Sequence, residues 1–123
     1  IKSIVNFDNI FFYEHIDQEK LIMLYKKSKI LIFPSLFESF GLPLIESLSM
    51  GLTLISSNKG ATREVAGKNA LYYNPMNGDE LNNQIKIATK ITNNELEKEL
   101  QERINFLQKY NNSVVGKIIE ETY

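Results

Sequence analysis

Short apolar runs, each stopped by turn-forming residues, recur along the chain of 123 residues and predict strands. Four such runs are found: residues 10–13, 29–33, 52–56 and 70–73. The second run is apolar from Ile30 to Phe33 and stops at Pro34, which is typical of a parallel strand buried on both faces. We therefore expect a sheet whose middle lies in the core.

Apolar residues at helical spacing lie between and after these runs. Asp17 is the expected N-cap of a first helix that carries Leu21, Leu24 and Tyr25. Two short helices are expected at residues 43–50, stopped by Gly51, and at 61–66. The last part is predicted to be helical, with Asp79 as a cap and apolar positions at Leu81, Ile85, Ala88, Leu96, Leu100, Ile104, Leu107, Val114, Val115, Ile118 and Ile119.

Alternating strands and helices indicate the α/β class, with a Rossmann-like parallel sheet flanked by helices. In a doubly wound sheet, ligands bind at the carboxyl ends of the strands. Chemistry should therefore be sought just after each predicted strand.

Composition excludes several classes of function. The net charge of −1 gives none of the basic excess that a nucleic-acid binder carries, so no nucleic-acid partner is expected. The chain has no cysteine, so it has no disulfide framework and no thiolate zinc site. No apolar stretch is long enough to cross a membrane. A cytoplasmic location is expected, with membrane-surface attachment only through parts outside this chain.

The segment from Phe33 to Glu46 lies where an α/β sheet binds ligands. It leaves a buried strand and enters a helix opened by Pro43. Free amides at a helix N-terminus attract phosphate, and Gly41 allows a ligand to approach the main chain closely. The segment is therefore a candidate phosphate-binding turn.

Two carboxylates, Glu38 and Glu46, flank this turn. They could be an acid/base pair of a glycoside hydrolase, but their separation cannot be read from the sequence. They could instead accept hydrogen bonds from two polyol groups at either end of a diphosphate, which matches the order of groups in a nucleotide sugar. The structural alternative is that Glu46 merely gains from the helix dipole and that Glu38 is a solvated loop residue.

This segment closely resembles the signature of the family 4 glycosyltransferases, which have the GT-B fold. The shared features are Pro-Ser, a first Glu, Phe-Gly-Leu-Pro, and a second Glu eight positions after the first. Further resemblance covers S-M-G-L-T-L-I-S-S and E-V-A-G-K-N-A-L-Y-Y-N-P, so that residues 9–123 are included. The resemblance implies that residues 1–123 are the C-terminal donor-binding half of such an enzyme, truncated at its N-terminal side.

The resemblance also implies a role for each matching position. Glu38 should be the catalytic carboxylate that holds hydroxyls of the donor sugar. Ser39, Phe40 and Gly41 should lie against the same sugar, and the amide of Leu42 should face the diphosphate. Glu46 should accept from the ribose hydroxyls.

The block at residues 12–17 resembles the family segment whose backbone contacts the nucleotide base, which makes Ile16 and His15 candidates for donor binding. Glu14 stands where the family usually has Gly, and Ser39 replaces another common Gly. His15 is the only histidine. It could act as a base, but a loop histidine is more often a packing or surface group.

Enzymes that this chain resembles transfer a hexose from a nucleotide-diphosphate donor, with retention and without a bound metal or cofactor. The basic side chains that neutralise the diphosphate, and the acceptor-binding domain, would lie before Ile1. The acceptor could be a glycan, a lipid or a small molecule, and the isolated chain is expected to bind donor weakly and to be inactive. The alternative is a non-catalytic sugar-nucleotide-binding module. The chain shows no lysine motif of a pyridoxal-dependent phosphorylase. It also lacks the acidic cluster at the strand ends that a response-regulator-like domain would need.

Overall fold

The computed structural model of the protein describes residues 8–37 and 41–110. Its centre is a parallel sheet of three strands in the order β1-β2-β3, with β1 at Ile30–Phe33, β2 at Thr53–Ser57 and β3 at Ala70–Tyr73. The helices are α1 Gln18–Lys27, α2 Leu42–Ser49, α3 Thr62–Ala66, α4 Gly78–Lys90 and α5 Asn93–Leu107, with 3₁₀ turns at Gly67–Asn69 and Gln108–Tyr110. This arrangement confirms the predicted α/β class and parallel sheet.

The central strand β2 is buried along its whole length. Its neighbouring residues Leu54 and Ile55 point to opposite faces, as successive residues of a strand must. Leu54 belongs to a core cluster with residues of α2, α3 and α5. Ile55 belongs to a second cluster with Tyr73 and Ala88 of α4. Helices therefore cover both faces of the sheet.

The predicted strand at residues 10–13 is wrong. These residues form no strand, and Phe11 and Phe12 are 75% and 82% exposed. An apolar run becomes a strand only when a neighbouring strand pairs with its backbone. No described strand lies beside this segment, since β1 pairs only with β2.

Helix caps follow the sequence in one case and depart from it in another. Asp17 caps α1 as predicted, accepting from the amide of Lys20 at 2.8 Å. The cap of α4 is Asn77 rather than Asp79, because the extended backbone of Asn77 lets its side chain accept from the amides of Asp79 and Glu80.

The long helical pattern after residue 78 is divided into two helices. Thr92 and Glu95 form a capping box that starts α5 two residues after α4 ends. Helix α2 begins at Leu42, one residue before the expected Pro43. The predicted last helix, with Val114 and Ile118, lies outside the described residues. Within the part of the chain that the structure describes, no helix is long and apolar enough to cross a membrane.

Candidate functional site

The carboxyl ends of the three strands are connected to one another by hydrogen bonds. The chain leaves β1 at Phe33, and the carbonyl of Ser35 accepts a hydrogen bond from the hydroxyl of Ser57, the last residue of β2. The amide of Asn58 donates to the carbonyl of Tyr73 at the end of β3, at 2.9 Å. The edge predicted to bind ligand is therefore built as one connected surface.

Gly41 forms the turn into α2 and has a left-handed backbone, with φ 78° and ψ 60°. It is buried, and its carbonyl accepts from the amide of Leu44 at 3.0 Å. Left-handed torsions cost an L-residue free energy that glycine does not incur. Glycine is thus required here by the backbone itself, in addition to any closeness to a ligand.

The start of α2 is suited to an anion. Among the residues that the structure describes, no side chain caps this helix start, and its first turn carries no acidic residue. The first amides of a helix lack intrahelical partners and carry the positive end of the helix dipole. Leu42, whose amide is the expected diphosphate contact, begins the helix and is partly exposed.

Glu46 lies one helical turn after Leu42, so both residues are on the same face of α2. It is only 4% exposed. Its Oε2 accepts from the hydroxyl of Tyr25 at 3.3 Å. Burial raises the pKa of Glu46 above its ordinary value, while the hydrogen bond from Tyr25 and the nearby Gln18 side chain act in the opposite direction.

Tyr25 is the buried residue of α1 and is 6% exposed. Burial raises its pKa, and the neighbouring negative charge of Glu46 and the hydrogen bond to it add to the rise. The phenol therefore stays protonated at any physiological pH and acts as a hydrogen-bond donor to Glu46.

The structure brings some of the expected site residues together. Ile16 is half-buried and His15 is exposed, both just before the Asp17 cap of α1. Ile16 is two residues from Gln18, so their Cα atoms are at most about 7 Å apart. The expected base contacts therefore directly precede α1, the helix whose Tyr25 hydroxyl donates to Glu46, the expected ribose contact. Glu38, Ser39 and Phe40 lie outside the described residues, and their predicted roles stay predictions.

The sequence reasoning missed the partners of Glu46. Tyr25 was assigned to the apolar side of α1, and Gln18 was given no role. The available signal was chemical: a buried tyrosine hydroxyl needs a hydrogen-bond partner, so a tyrosine at a core position implies a nearby acceptor. Spacing along the chain could not identify that acceptor.

No cluster of three or more His, Cys, Asp or Glu residues that could hold a metal ion is found within residues 8–37 and 41–110. Metal-independent chemistry stays a prediction of the family resemblance.

Comparison with known proteins identifies the family of this chain. The family model "Glycosyl transferases group 1" matches residues 2–111, and the chain belongs to this family. The glycosyltransferase resemblance drawn from the signature segment is thereby confirmed.

Individual relatives match over shorter stretches. The chain is 32% identical over 71 residues to O-antigen chain mannosyltransferase B of Escherichia coli, an alignment that covers 58% of this chain and 19% of the relative. It is 35% identical over 68 residues to O-antigen chain mannosyltransferase RfbU of Salmonella typhimurium, covering 55% and 19%. It is 40% identical over 57 residues to sucrose synthase 7 of Oryza sativa subsp. japonica, covering 45% and 6%. These matches span about a fifth or less of the relatives' lengths.

Proposed function

We propose that this chain binds the nucleotide-diphosphate sugar donor of a retaining glycosyltransferase. The observation that carries the proposal is the placement of the buried carboxylate of Glu46 one turn behind an uncapped helix start. A diphosphate at the helix start and a ribose at the carboxylate would lie side by side, as they do in a nucleotide sugar. Membership of the glycosyl transferases group 1 family supports the same function.

The diphosphate would bind at the start of α2. The amide of Leu42 and the helix dipole together favour a negatively charged group there, since Pro43 has no N–H and the amide of Leu44 donates to the Gly41 carbonyl. When the sugar–phosphate bond breaks, negative charge grows on the leaving diphosphate. Preorganised donors at that place stabilise the transition state more than the ground state, which is electrostatic catalysis.

The ribose would bind at Glu46. An ionised carboxylate offers about four acceptor positions, of which the Tyr25 hydroxyl uses one. Acceptor capacity therefore remains for the two ribose hydroxyls. Ile16 and His15, which are connected to Glu46 through the first turn of α1, would lie against the base.

The sugar itself would lie against Glu38, Ser39, Phe40 and Gly41, in the loop between β1 and α2. In this proposal Glu38 accepts from sugar hydroxyls beside the reaction centre and is the catalytic carboxylate. The acceptor would be a glycan, lipid or small molecule bound by parts of the enzyme beyond this chain. No metal and no organic cofactor takes part.

Mannose is the first candidate for the transferred hexose, because two of the relatives are named as mannosyltransferases. Sucrose synthase 7 is also similar, so glucose donors belong in the same test.

The test is a thermal-shift screen of the full-length protein with GDP-mannose, UDP-glucose and ADP-glucose, each compared with its nucleoside diphosphate. We expect one nucleotide series to raise the melting temperature, since a ligand that binds only the native state stabilises it. No shift with any of them at millimolar concentration would contradict the proposal. The anomeric configuration of the product, read by NMR, tests retention. We expect the isolated 123-residue chain to give no turnover in the same assay.

A further inference from the structure

Two side chains of α1 reach across to the same carboxylate on α2. The Tyr25 hydroxyl lies 3.3 Å from Glu46 Oε2, and the Gln18 side chain is close enough to lower the pKa of the same carboxyl group. Tyr25 and Glu46 are both nearly fully buried, with 6% and 4% exposed. A carboxylate in such a place is costly unless donors surround it, so these contacts determine where it can point.

The donors themselves are held in place. Asp17 caps the first turn of α1, and the Ser28 hydroxyl donates to the Leu24 carbonyl at 2.6 Å in the last turn. The amide of Ser28 also donates to the Tyr25 carbonyl at 3.1 Å. Hydrogen bonds hold α1 at both ends, and the Tyr25 ring is packed in the core. The Tyr25 hydroxyl is therefore held in one place, from which it can orient the longer side chain of Glu46.

Tyr25 can only donate in this contact. Burial, followed by the charge of Glu46 and its hydrogen bond, raises the pKa of the phenol, so its proton is never lost to the carboxylate. The lone pairs of Glu46 that Tyr25 and Gln18 leave unused then have a defined direction. An unrestrained glutamate would lose rotamer freedom whenever it bound a ligand, at a cost in affinity.

We propose that Tyr25 and Gln18 are positioning residues, which orient the Glu46 carboxylate toward the hydroxyls of the donor ribose. The inference rests on the proposed function, because it takes the ribose as the ligand of Glu46. The inference goes further than the proposed function in one respect: α1 orients the Glu46 carboxylate before the nucleotide binds. Since residues 15 and 16 directly precede α1, the same helix would set the distance between the base and ribose contacts.

The experiment compares Tyr25→Phe with the wild-type full-length protein. Phenylalanine keeps the buried ring and removes only the hydroxyl. Dissociation constants are measured by calorimetry for GDP, UDP and ADP and for their 2′,3′-dideoxy counterparts. Tyr73→Phe is the matched control: it makes the same change in a buried tyrosine of the cluster on the other face of the sheet.

We expect Tyr25→Phe to raise the dissociation constant of the ribonucleotide roughly threefold to tenfold, as for the loss of one hydrogen bond. The dissociation constant of the dideoxynucleotide should not change. Tyr73→Phe should change neither. A role in folding alone would weaken both nucleotides equally or neither. Either of those results would overturn the inference.

If the Tyr25→Phe protein does not fold, Gln18→Met serves as the second test variant. Gln18 is exposed in the first turn of α1, so its replacement disturbs no core packing. The same selective loss for ribonucleotides is expected, and an unchanged preference for ribose would overturn the inference.

The wild-type protein separates this inference from the proposed function. If it binds the ribonucleotide and the dideoxynucleotide equally well, the ribose role of Glu46 fails and the inference fails with it. If it prefers ribose, and Glu46→Ala removes that preference while the α1 variants keep it, only the inference fails.

Discussion

The Ser57 hydroxyl donates a hydrogen bond to the backbone carbonyl of Ser35, joining the end of β2 to the loop that follows β1. Ser57 is fully buried. Its register partner on β3 is Tyr73, so the contact lies at the carboxyl edge of the sheet. The loop that leads to Glu38 is thus fixed to the central strand.

Ser57→Ala should destabilise the protein and weaken donor binding. The substitution removes the hydrogen bond to a partly buried carbonyl, which typically costs about 0.5–1.5 kcal/mol of the free energy of unfolding. Urea unfolding measures this loss, and calorimetry measures the donor affinity. Ser28→Ala is the control, since Ser28 makes a similar hydroxyl-to-carbonyl contact at an exposed helix end, where the loss should stay below about 0.5 kcal/mol. Equal losses in the two variants would contradict the anchoring role.

Gly41→Ala should reduce stability by about 1–2 kcal/mol, because an L-residue would be forced into left-handed torsions. Relief of that strain would shift the start of α2, so donor affinity should fall as well. Gly78→Ala makes the same change at the start of α4, where an added Cβ meets nothing within 4 Å. There the unfolding free energy should be unchanged or should rise by up to about 1 kcal/mol. A Gly41→Ala variant as stable as wild type would show that the turn does not require glycine at position 41.

Glu46→Gln should change how stability depends on pH. Burial raises the pKa of Glu46 in the folded state above its ordinary value of 4.5, so the native state favours the protonated form. The contribution of this group to stability is therefore fully present below about pH 4.5 and is lost as the pH rises through the raised pKa. Glutamine does not titrate and loses nothing over that range.

The difference in unfolding free energy, variant minus wild type, should consequently increase as the pH rises from about 4 to about 8. Urea unfolding at several pH values measures it. Subtraction cancels the other titrating groups, which both proteins share. A difference that stays constant or decreases with pH would mean that Glu46 is not held in a desolvated site.

Local signals predicted most of the fold. The apolar run at Ala70–Tyr73 became β3 with its predicted bounds, and β1 and β2 shifted by one residue. The runs were informative although β1 is less buried than expected, with Ile32 40% exposed, and although β2 also buries Thr53, Ser56 and Ser57. The aromatic run at residues 10–13 carries the same local signal, yet it is exposed and unpaired with any described strand. Composition alone cannot supply a pairing partner.

Contacts between distant residues could not be predicted. Tyr25 and Glu46 are 21 positions apart, and nothing in either helix pattern indicates the other. Arg103 of α5 is 7% exposed and donates to the Leu52 carbonyl at 3.0 Å and to the Leu48 carbonyl at 3.5 Å, across 51 and 55 positions. It thereby joins α5 to the last turn of α2 at Leu48 and to Leu52, the residue before β2. An arginine within a charged helical stretch reads as a solvated residue until the packing is known.

The sequence predicted those parts of the candidate site that are formed by consecutive residues. The strand, the glycine turn and the helix start are consecutive, so residues 33–46 revealed them together. The environment of Glu46 was not predicted, because its burial and its donors come from another helix. Sequence reasoning thus located the turn, and the structure added what holds its second carboxylate.

The most direct test of the central claim is the affinity of the full-length protein for its nucleotide-sugar donor with and without the Glu46 carboxylate. Calorimetry is performed on wild type, on Glu46→Ala and on Glu97→Ala, which removes an exposed glutamate of α5. If Glu46 holds the ribose, Glu46→Ala weakens binding by about 1–3 kcal/mol, as for hydrogen bonds to a charged group, and Glu97→Ala does not. A folded Glu46→Ala protein with an unchanged dissociation constant would contradict the account.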